Sequence, residues 1–439
     1  MEPPADDRSV SRRTVLGGIA GATAGVACTT GAAARAGAAQ SAPELTVLTR
    51  NLSLGVDLFA LFEARSLDDV RRIAGDLLSD FDPDRATTRI GAIAAEIETT
   101  QPDAVALQEA AALRVQRPSD FGTDSPEPAE TVVVDLLDAI QSALAERGLE
   151  YEVAASTVTT DVELPAETDD GTADVRLTDR DAVLVRRDRD ATATASRTYE
   201  AAFEVEAAAL FLGLDDLAVR RGFCAADVTV AGETVTVVST HLSSVSRELR
   251  VDQAAELLDW LPTDRPVIVG GDFNSGPGAE TAAYERLTGE LTDAYAARHP
   301  DRDGFTCCQD GTLRNAESRL NSRVDGLLVR GDVSATAASR VGHRSADRVR
   351  YERDGETVQV WPSDHAGVVG TFAITAAGSV GTATAAETGT ERPTATPAAT
   401  SASTTGATPD TTAGTGPGLG VLAALAGVAG GVAGRLWRD

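Results

Sequence analysis

"VIVGGDFN", from Val267 to Asn274, decides how the chain is read. Val267, Ile268 and Val269 are β-branched apolar residues in a row, the composition of a strand buried on both faces. Gly270-Gly271 ends the run, and the chain turns while presenting Asp272 and Asn274, a carboxylate and a carboxamide two residues apart. A carboxylate at the end of a buried strand is costly unless something pairs with it. What Asp272 faces therefore decides the chemistry.

The same arrangement recurs along the chain. "LTVLTRN" ends in Asn51, "DAVALQE" in Glu109 and "VTVVSTH" in His241. "SRVDGLLV" carries Asp325 near its start, and "WPSDHAGVV" places Asp364 and His365 before the last strand. A glutamate that ends a strand is ordinarily a surface residue or a cap, and Asp before Asn is ordinary turn chemistry. Six such ends, carrying two of the chain's four histidines, call for another reason. Strand ends on one side of a sandwich converge, which would gather three Asp, one Glu, two Asn and two His into one cleft. His299 in "AARHPDRDG" and His343 in "SRVGHRSAD" read as loop and surface residues.

Around these blocks "GFCAADVTV", "DAVLVRR" and "HAGVVGTFAI" read as further strands, and "VAGETVT" as a hairpin turning at Ala231-Gly232. "RATTRIGAIAAEIETT", "ETVVVDLLDAIQSALAERG" and "SRELRVDQAAELLDWL" read as helices, the last opening at Ser246. "RVQRPSDFGTDSPEPAE" and "TVTTDVELPAETDDGTADVRLTDR" read as long surface loops. Hairpins with interspersed helices predict a two-sheet sandwich with helices outside.

Both ends read as appendages. Residues 1–41 carry the twin arginine Arg12-Arg13, a small apolar stretch and an alanine-rich tail, the pattern of a twin-arginine export signal. Residues 376–416 are rich in Thr, Ala, Gly, Pro and Ser and suit a solvated stalk. In 417–439 the uncharged run Gly418 to Gly434 is just long enough to span a bilayer, with Arg435 and Arg438 behind it. It resembles the C-terminal sorting signals of archaeal surface proteins. These features predict an exported domain, residues 42–375, tethered outside the cell. Cys28 in "GVAC" is a weak candidate for lipid attachment, because Gly25 stands where leucine is usual.

The net charge is −28, from 67 acidic against 39 basic residues, and every basic residue is arginine. Scattered acids on a folded chain suit concentrated salt, where the Debye length of about 3 Å removes the objection to a polyanionic substrate. Cys224 and Cys307-Cys308 leave room for one disulfide, such as Cys224 with either neighbour, and their spacing does not suggest a structural zinc site.

Taken in order, "TRN…LQE…STHL…GDFN…SRVDGLLV…SDH" resembles the endonuclease/exonuclease/phosphatase superfamily, which includes DNase I-like nucleases, exonuclease III-like enzymes, neutral sphingomyelinases and inositol polyphosphate 5-phosphatases. The blocks span Thr49 to His365, and Arg250 and Gln253 match the helix usual after the histidine of "HL". The resemblance implies an α/β fold, a four-layered sandwich of two mostly antiparallel sheets flanked by helices. It also implies attack of water on a phosphoester with Mg²⁺, or alternatively Mn²⁺, as cofactor. Glu109, Asn51 and Asp364 would hold the metal. His365 would take a proton from water with Asp325 holding its ring, and Asp272 would orient or deprotonate the nucleophile. Asn51 and Asn274 would donate to the transition state, and His241 would contact a phosphate oxygen or protonate the leaving group. Cys307-Cys308 stands where exonuclease III-like repair enzymes carry aromatic residues, which counts against an abasic-site pocket.

The substrate stays open between DNA or RNA, a phospholipid, and a phosphomonoester, with a non-catalytic binding protein as the remote alternative. A nuclease would place arginines beside the cleft, the candidates being Arg114, Arg117, Arg314, Arg319 and Arg323. A lipase would expose an apolar loop, the candidate being "GVDLFALFEA" after Asn51, although that segment also reads as a helix packed on the sheet. The balance lies slightly with the nuclease. The expected partners are the phosphoester substrate, the membrane through the C-terminal segment and the export machinery, and a monomer is expected.

Overall fold

The computed structural model describes residues 42–204, 218–353 and 355–375. The export-signal region with Cys28, the stalk and the C-terminal apolar segment all lie outside the described residues. Among the described residues no helix is long and apolar enough to cross a membrane.

Two sheets form the centre. The first runs, in spatial order, Val333–Val341, Gly367–Ile374, Glu44–Asn51, Ala104–Gln108, Gly171–Arg186, Ala112–Gln116 and Thr131–Asp135, with Tyr151–Thr168 also paired to Gly171–Arg186. The second runs Thr292–Asp293, Asp325–Arg330, Val267–Asp272, Glu233–His241, Gly222–Val230 and Ala191–Thr198. Pairing is antiparallel except for one parallel pair in each sheet: Glu44–Asn51 beside Ala104–Gln108, and Glu233–His241 beside Val267–Asp272. Leu45, Val47, Val183 and Val185 of the first sheet pack with Val235, Val237, Ile268 and Leu327 of the second in one inner core. Helices Leu67–Asp80, Pro83–Thr100 and Leu136–Glu146 cover the outer face of the first sheet, through Ile73, Ile90, Ile93, Ile97 and Ile140. Helices Arg247–Trp260 and Ala282–Thr288 cover the second, through Ala254, Leu257 and Leu287. The protein is thus a mixed α/β sandwich of two mostly antiparallel sheets between helical layers.

Gly270 faces the other sheet, and a Cβ on it would lie 2.7 Å from the Ala106 Cβ and 3.1 Å from the Thr49 Cβ. Only glycine lets the sheets approach this closely just beneath the strand ends. Gly270→Val is expected to destabilise the domain by about 1–3 kcal/mol through overpacking. The check is the denaturant midpoint in molar KCl; an unchanged midpoint would show that the sheets yield freely at this point.

Two sequence readings are corrected. The stretch read as a surface loop at 157–180 is most of a long hairpin, Tyr151–Thr168 with Gly171–Arg186, turning at Asp169-Asp170. Its threonines are β-branched, and its charges pair across the strands, as in Arg176 with Asp161 at 2.6 Å, so turn-rich composition misled. The helix expected over 130–148 begins only at Leu136. Thr131–Asp135 is a strand, and Asp135 caps the helix by accepting from Leu137 N and Asp138 N. The helix capped by Ser246 and the Ala231-Gly232 hairpin lie where they were expected.

Candidate active site

A parallel strand pair points both of its C-terminal ends the same way, and ligands bind characteristically at such ends. Here the ends of the two pairs meet across the sandwich. Asn51 and Glu109 come from the first sheet, His241 and Asp272 from the second. Asp272 is in register with His241 on one side and with Asp325 on the other. Asp364 and His365 arrive on the turn before Gly367–Ile374. All eight residues singled out in the sequence are brought to this one place; seven are buried, and Asn274 is half-buried at the mouth.

Asn51 joins the two sheets. Its Nδ2 donates to Glu109 Oε1 at 3.1 Å and to Asp272 Oδ2 at 3.2 Å, and its Oδ1 accepts from Ser53 N at 2.9 Å. The amide read as a donor to a transition state is therefore occupied by the two carboxylates it spaces. Asp272 Oδ1 accepts from Asn274 N at 2.9 Å, and Asn274 Nδ2 donates to Leu242 O and lies 3.0 Å from His241 Nε2. His365 Nδ1 lies 2.8 Å from Asp325 Oδ2 and 3.7 Å from Asp272 Oδ2. Ser53, Glu109 and Asn274 all have positive φ (54°, 52° and 47°), a conformation that costs non-glycine residues of order 1–3 kcal/mol and clusters at functional sites.

Electrostatics separates the two histidines. Burial, reinforced by Arg221, holds the His241 pKa well below the ordinary imidazole value against the pull of Asp272. The neutral ring accepts on Nε2 from Asn274, leaving its buried Nδ1 without a protein partner. Burial would also neutralise His365, but Asp325, Asp272 and Asp364 outweigh it and raise its pKa well above the ordinary value. Burial raises the Asp364 carboxyl, against the pull of His365. For Asp272 the nearby imidazoles of His365 and His241 overcome burial and lower its pKa.

The donor set fits a hard divalent cation. Glu109 and Asp364 are buried carboxylates beside the Asn51 amide, and oxygen-rich sets of this kind suit Mg²⁺ or Mn²⁺. A different cluster of candidate ligand atoms is Asp272, Asp325 and His365, all within 4.8 Å of one another. The His365–Asp325 hydrogen bond already uses that cluster, so it is suited to holding protons, and a cation would be held by Glu109 and Asp364 instead.

Several residues of the site were not singled out in the sequence. Arg89 is fully buried and donates to Leu52 O, Ser53 O and Pro362 O, tying the loop after Asn51 to the loop before Asp364. Burial and Arg85 lower its pKa to about 9. Arg50 pairs with Glu96 at 3.0 Å and donates to His365 O. Their signal was present: Arg85 and Arg89 fall on the buried stripe of the helix that carries Ile93 and Ile97, with half-buried Glu96 at its edge. Behind His241, buried Arg221 donates to Asp179 Oδ2 at 2.9 Å while its Nε and Nη2 have no protein partner. Burial and neighbouring Asp179 raise the Asp181 pKa well above the usual carboxylate range. Asp179 and Asp181 lay in the stretch misread as a loop. His299, bonded to Ala338 O, and His343 stand apart from the site.

The sequence profile described as "Endonuclease/Exonuclease/phosphatase family" matches residues 70–365. No curated protein matches the chain. Similar solved structures include an endonuclease/exonuclease/phosphatase family protein from Bacteroides thetaiotaomicron (16% identity, covering 76% of this chain and 98% of that one, TM-score 0.44). A mannosyl-6-phosphatase from the same organism has 17% identity, with 75% and 99% covered and a TM-score of 0.42. Truncated TDP2 from Caenorhabditis elegans has 17% identity, with 75% and 97% covered and a TM-score of 0.39. With the profile spanning most of the domain and the strand-end residues assembled in one buried site, the chain belongs to the endonuclease/exonuclease/phosphatase family and is a metal-dependent phosphoester hydrolase.

Proposed function

We propose that the chain is an exported, surface-tethered Mg²⁺-dependent phosphodiester hydrolase, with nucleic acid as the favoured substrate. The observation that carries the reading is the meeting of Asn51 and Glu109 with His241, Asp272 and Asn274 and with the Asp325–His365–Asp364 group.

Each residue then has a task set by its contacts. Glu109 and Asp364 hold the divalent ion, and Asn51 spaces Glu109 from Asp272. When bound, the ion neutralises charge on the phosphoryl oxygens. Asp272 orients the attacking water, and His365 receives its proton while Asp325 steadies the ring. Neutral His241 and the half-buried Asn274 bonded to it together face a phosphate oxygen, and Arg221 stays buried behind them.

The nuclease is supported over the phospholipase by the two leucines of the apolar segment after Asn51, the side chains of Phe59 and Phe62 lying outside the described ones. Leu58 and Leu61 are buried in the core, and the large exposed apolar side chains among the described residues are Val132 and Val158. Of the candidate phosphate-binding arginines, Arg323 is buried against Asp293 at 3.1 Å, which removes it, while exposed Arg319 pairs with Asp310. Arg114 and Arg117 bond threonine hydroxyls, and Arg314 lines a cavity of about 590 Å³ with Arg72, Arg85 and Arg353. Export and tethering rest on the twin arginine, the stalk composition and the terminal apolar run, and the halophile assignment rests on the charge of −28 without lysine.

The test compares plasmid DNA, RNA, a phospholipid and a sugar phosphomonoester as substrates, in molar KCl with Mg²⁺. Nicking of DNA or RNA is expected. Headgroup release or monoester hydrolysis without nicking would move the chain to another branch of the family.

A further inference from the structure

Cys307 and Cys308 are not absorbed by the hydrolytic account, yet they form a wall of its site. Their backbone is locked to the loops that carry the chemistry. Cys307 N donates to Ser322 O, Ala366 N to Thr306 O, and Gln309 N to Asp364 O. The structure joins the two sulfurs as a disulfide between neighbouring residues, and Cys308 Sγ is 4.0 Å from His365 Nε2. The other ring nitrogen of His365 is engaged by Asp325, so Nε2 is the atom turned toward the sulfurs. Once that bond is reduced, Cys307, Cys308 and His365 would each offer one ligand atom, and these atoms already lie within 4.8 Å of one another. Cys307 is buried and Cys308 half-buried, so the cluster reaches solvent through Cys308. Cys224, fully buried and free, is bonded to Ala155 O and takes no part.

Two sulfurs and an imidazole are a soft donor set, unlike the oxygen ligands Glu109 and Asp364. Thiolate and imidazole select Zn²⁺ and other thiophilic ions over Mg²⁺. Zn–S near 2.3 Å and Zn–N near 2.0–2.1 Å would put a sulfur and a nitrogen on one tetrahedral ion about 3.6 Å apart, a few tenths of an ångström from the Cys308–His365 spacing, and two sulfurs about 3.8 Å apart, so both can bind only after the disulfide has opened.

We propose that Cys307, Cys308 and His365 form an inhibitory site for a soft divalent cation, available only when the two cysteines are thiols. An ion held there occupies His365 Nε2, the atom that must accept the proton from water. Joining the sulfurs closes the site. The two thiols give two electrons and two protons to a small-molecule disulfide, which leaves as two thiols, and no sulfur is left to bind metal. A water-soluble phosphine reverses this. The S–S bond breaks, the phosphine takes an oxygen from water as its oxide, and the protons of that water complete the thiols. The site therefore ties hydrolysis to both redox state and soft-metal supply. The inhibition rests on the proposed role of His365; the metal site itself does not.

The experiment uses the full chain in molar KCl with excess Mg²⁺, prepared oxidised with a small-molecule disulfide or reduced with a phosphine, and then desalted. Co²⁺ is added as a spectroscopic probe and Zn²⁺ as the inhibitor. Reduced protein is expected to show thiolate-to-cobalt charge-transfer absorption, which oxidised protein and the Cys307→Ser/Cys308→Ser variant lack. The Zn²⁺ concentration for half-inhibition, taken relative to each preparation's own uninhibited rate, is expected to rise by at least roughly 100-fold on oxidation or in the variant, since losing even an outer-shell partner costs about 10- to 100-fold. Absence of the cobalt band from reduced protein would overturn the site. Equal Zn²⁺ inhibition of oxidised and reduced protein would place the ion on the carboxylates instead and overturn the inhibitory role. The cobalt spectrum needs no turnover, so failure of this site and failure of the hydrolase reading are told apart.

Discussion

His365→Asn is expected to lower kcat for Mg²⁺-supported phosphodiester hydrolysis by roughly 10²- to 10⁴-fold, the usual contribution of a positioned proton acceptor. The asparagine amide can still donate toward Asp325, so the variant is expected to fold, which near-ultraviolet circular dichroism checks. The pH profile gives a sharper readout. Asp325, Asp272 and Asp364 hold the His365 proton to higher pH than an ordinary imidazole, so the proton-accepting form grows only as pH rises through that raised value. The acidic limb of kcat/KM is therefore expected above the ordinary histidine value of about 6.5. In Asp325→Asn the imidazolium loses its nearest carboxylate, and the limb is expected to move to lower pH. A His365→Asn enzyme with wild-type kcat and an unchanged limb would remove His365 from the chemistry.

Glu109→Gln is expected to weaken divalent-metal binding by more than the roughly 10- to 100-fold typical of losing an outer-shell partner. The change is nearly isosteric, and glutamine can still accept from Asn51 Nδ2, so the contact that spaces the two sheets survives. What disappears is a buried negative charge held on a backbone with φ of 52°. Titration of the metal-free protein with Mn²⁺, followed by calorimetry, measures the affinity directly. The Mg²⁺ concentration for half-maximal hydrolysis should rise in parallel. An unchanged metal requirement would place the ion elsewhere, the Asp272–Asp325–His365 cluster being the next candidate.

The strands and the ends of the site were legible because buried parallel strands are continuous β-branched runs, and a polar residue terminating one stands out. The run before Asn51 and the one before Asp272 are of this kind. What escaped was polar structure that is buried but does not end a strand. Asp179, Asp181 and Arg221 sit behind the site, yet the first two lie in a Thr- and Asp-rich stretch that composition alone marks as a loop. Arg89 holds three carbonyls by contacts far apart in sequence, and nothing local distinguishes it from a solvated helix charge except its place on an apolar stripe. The vicinal cysteines were visible, but their neighbour His365 is 57 residues further on, and only the folded chain brings the pair to it.

The most direct test of the central claim is hydrolysis of a chromogenic phosphodiester by the purified protein in molar KCl, with Mg²⁺ and then with excess chelator. The convergent site requires release of the chromophore with Mg²⁺, its loss on chelation, and its return when the metal is restored. Folded protein that releases no chromophore with Mg²⁺ or Mn²⁺, or that works undiminished in chelator, would contradict the account.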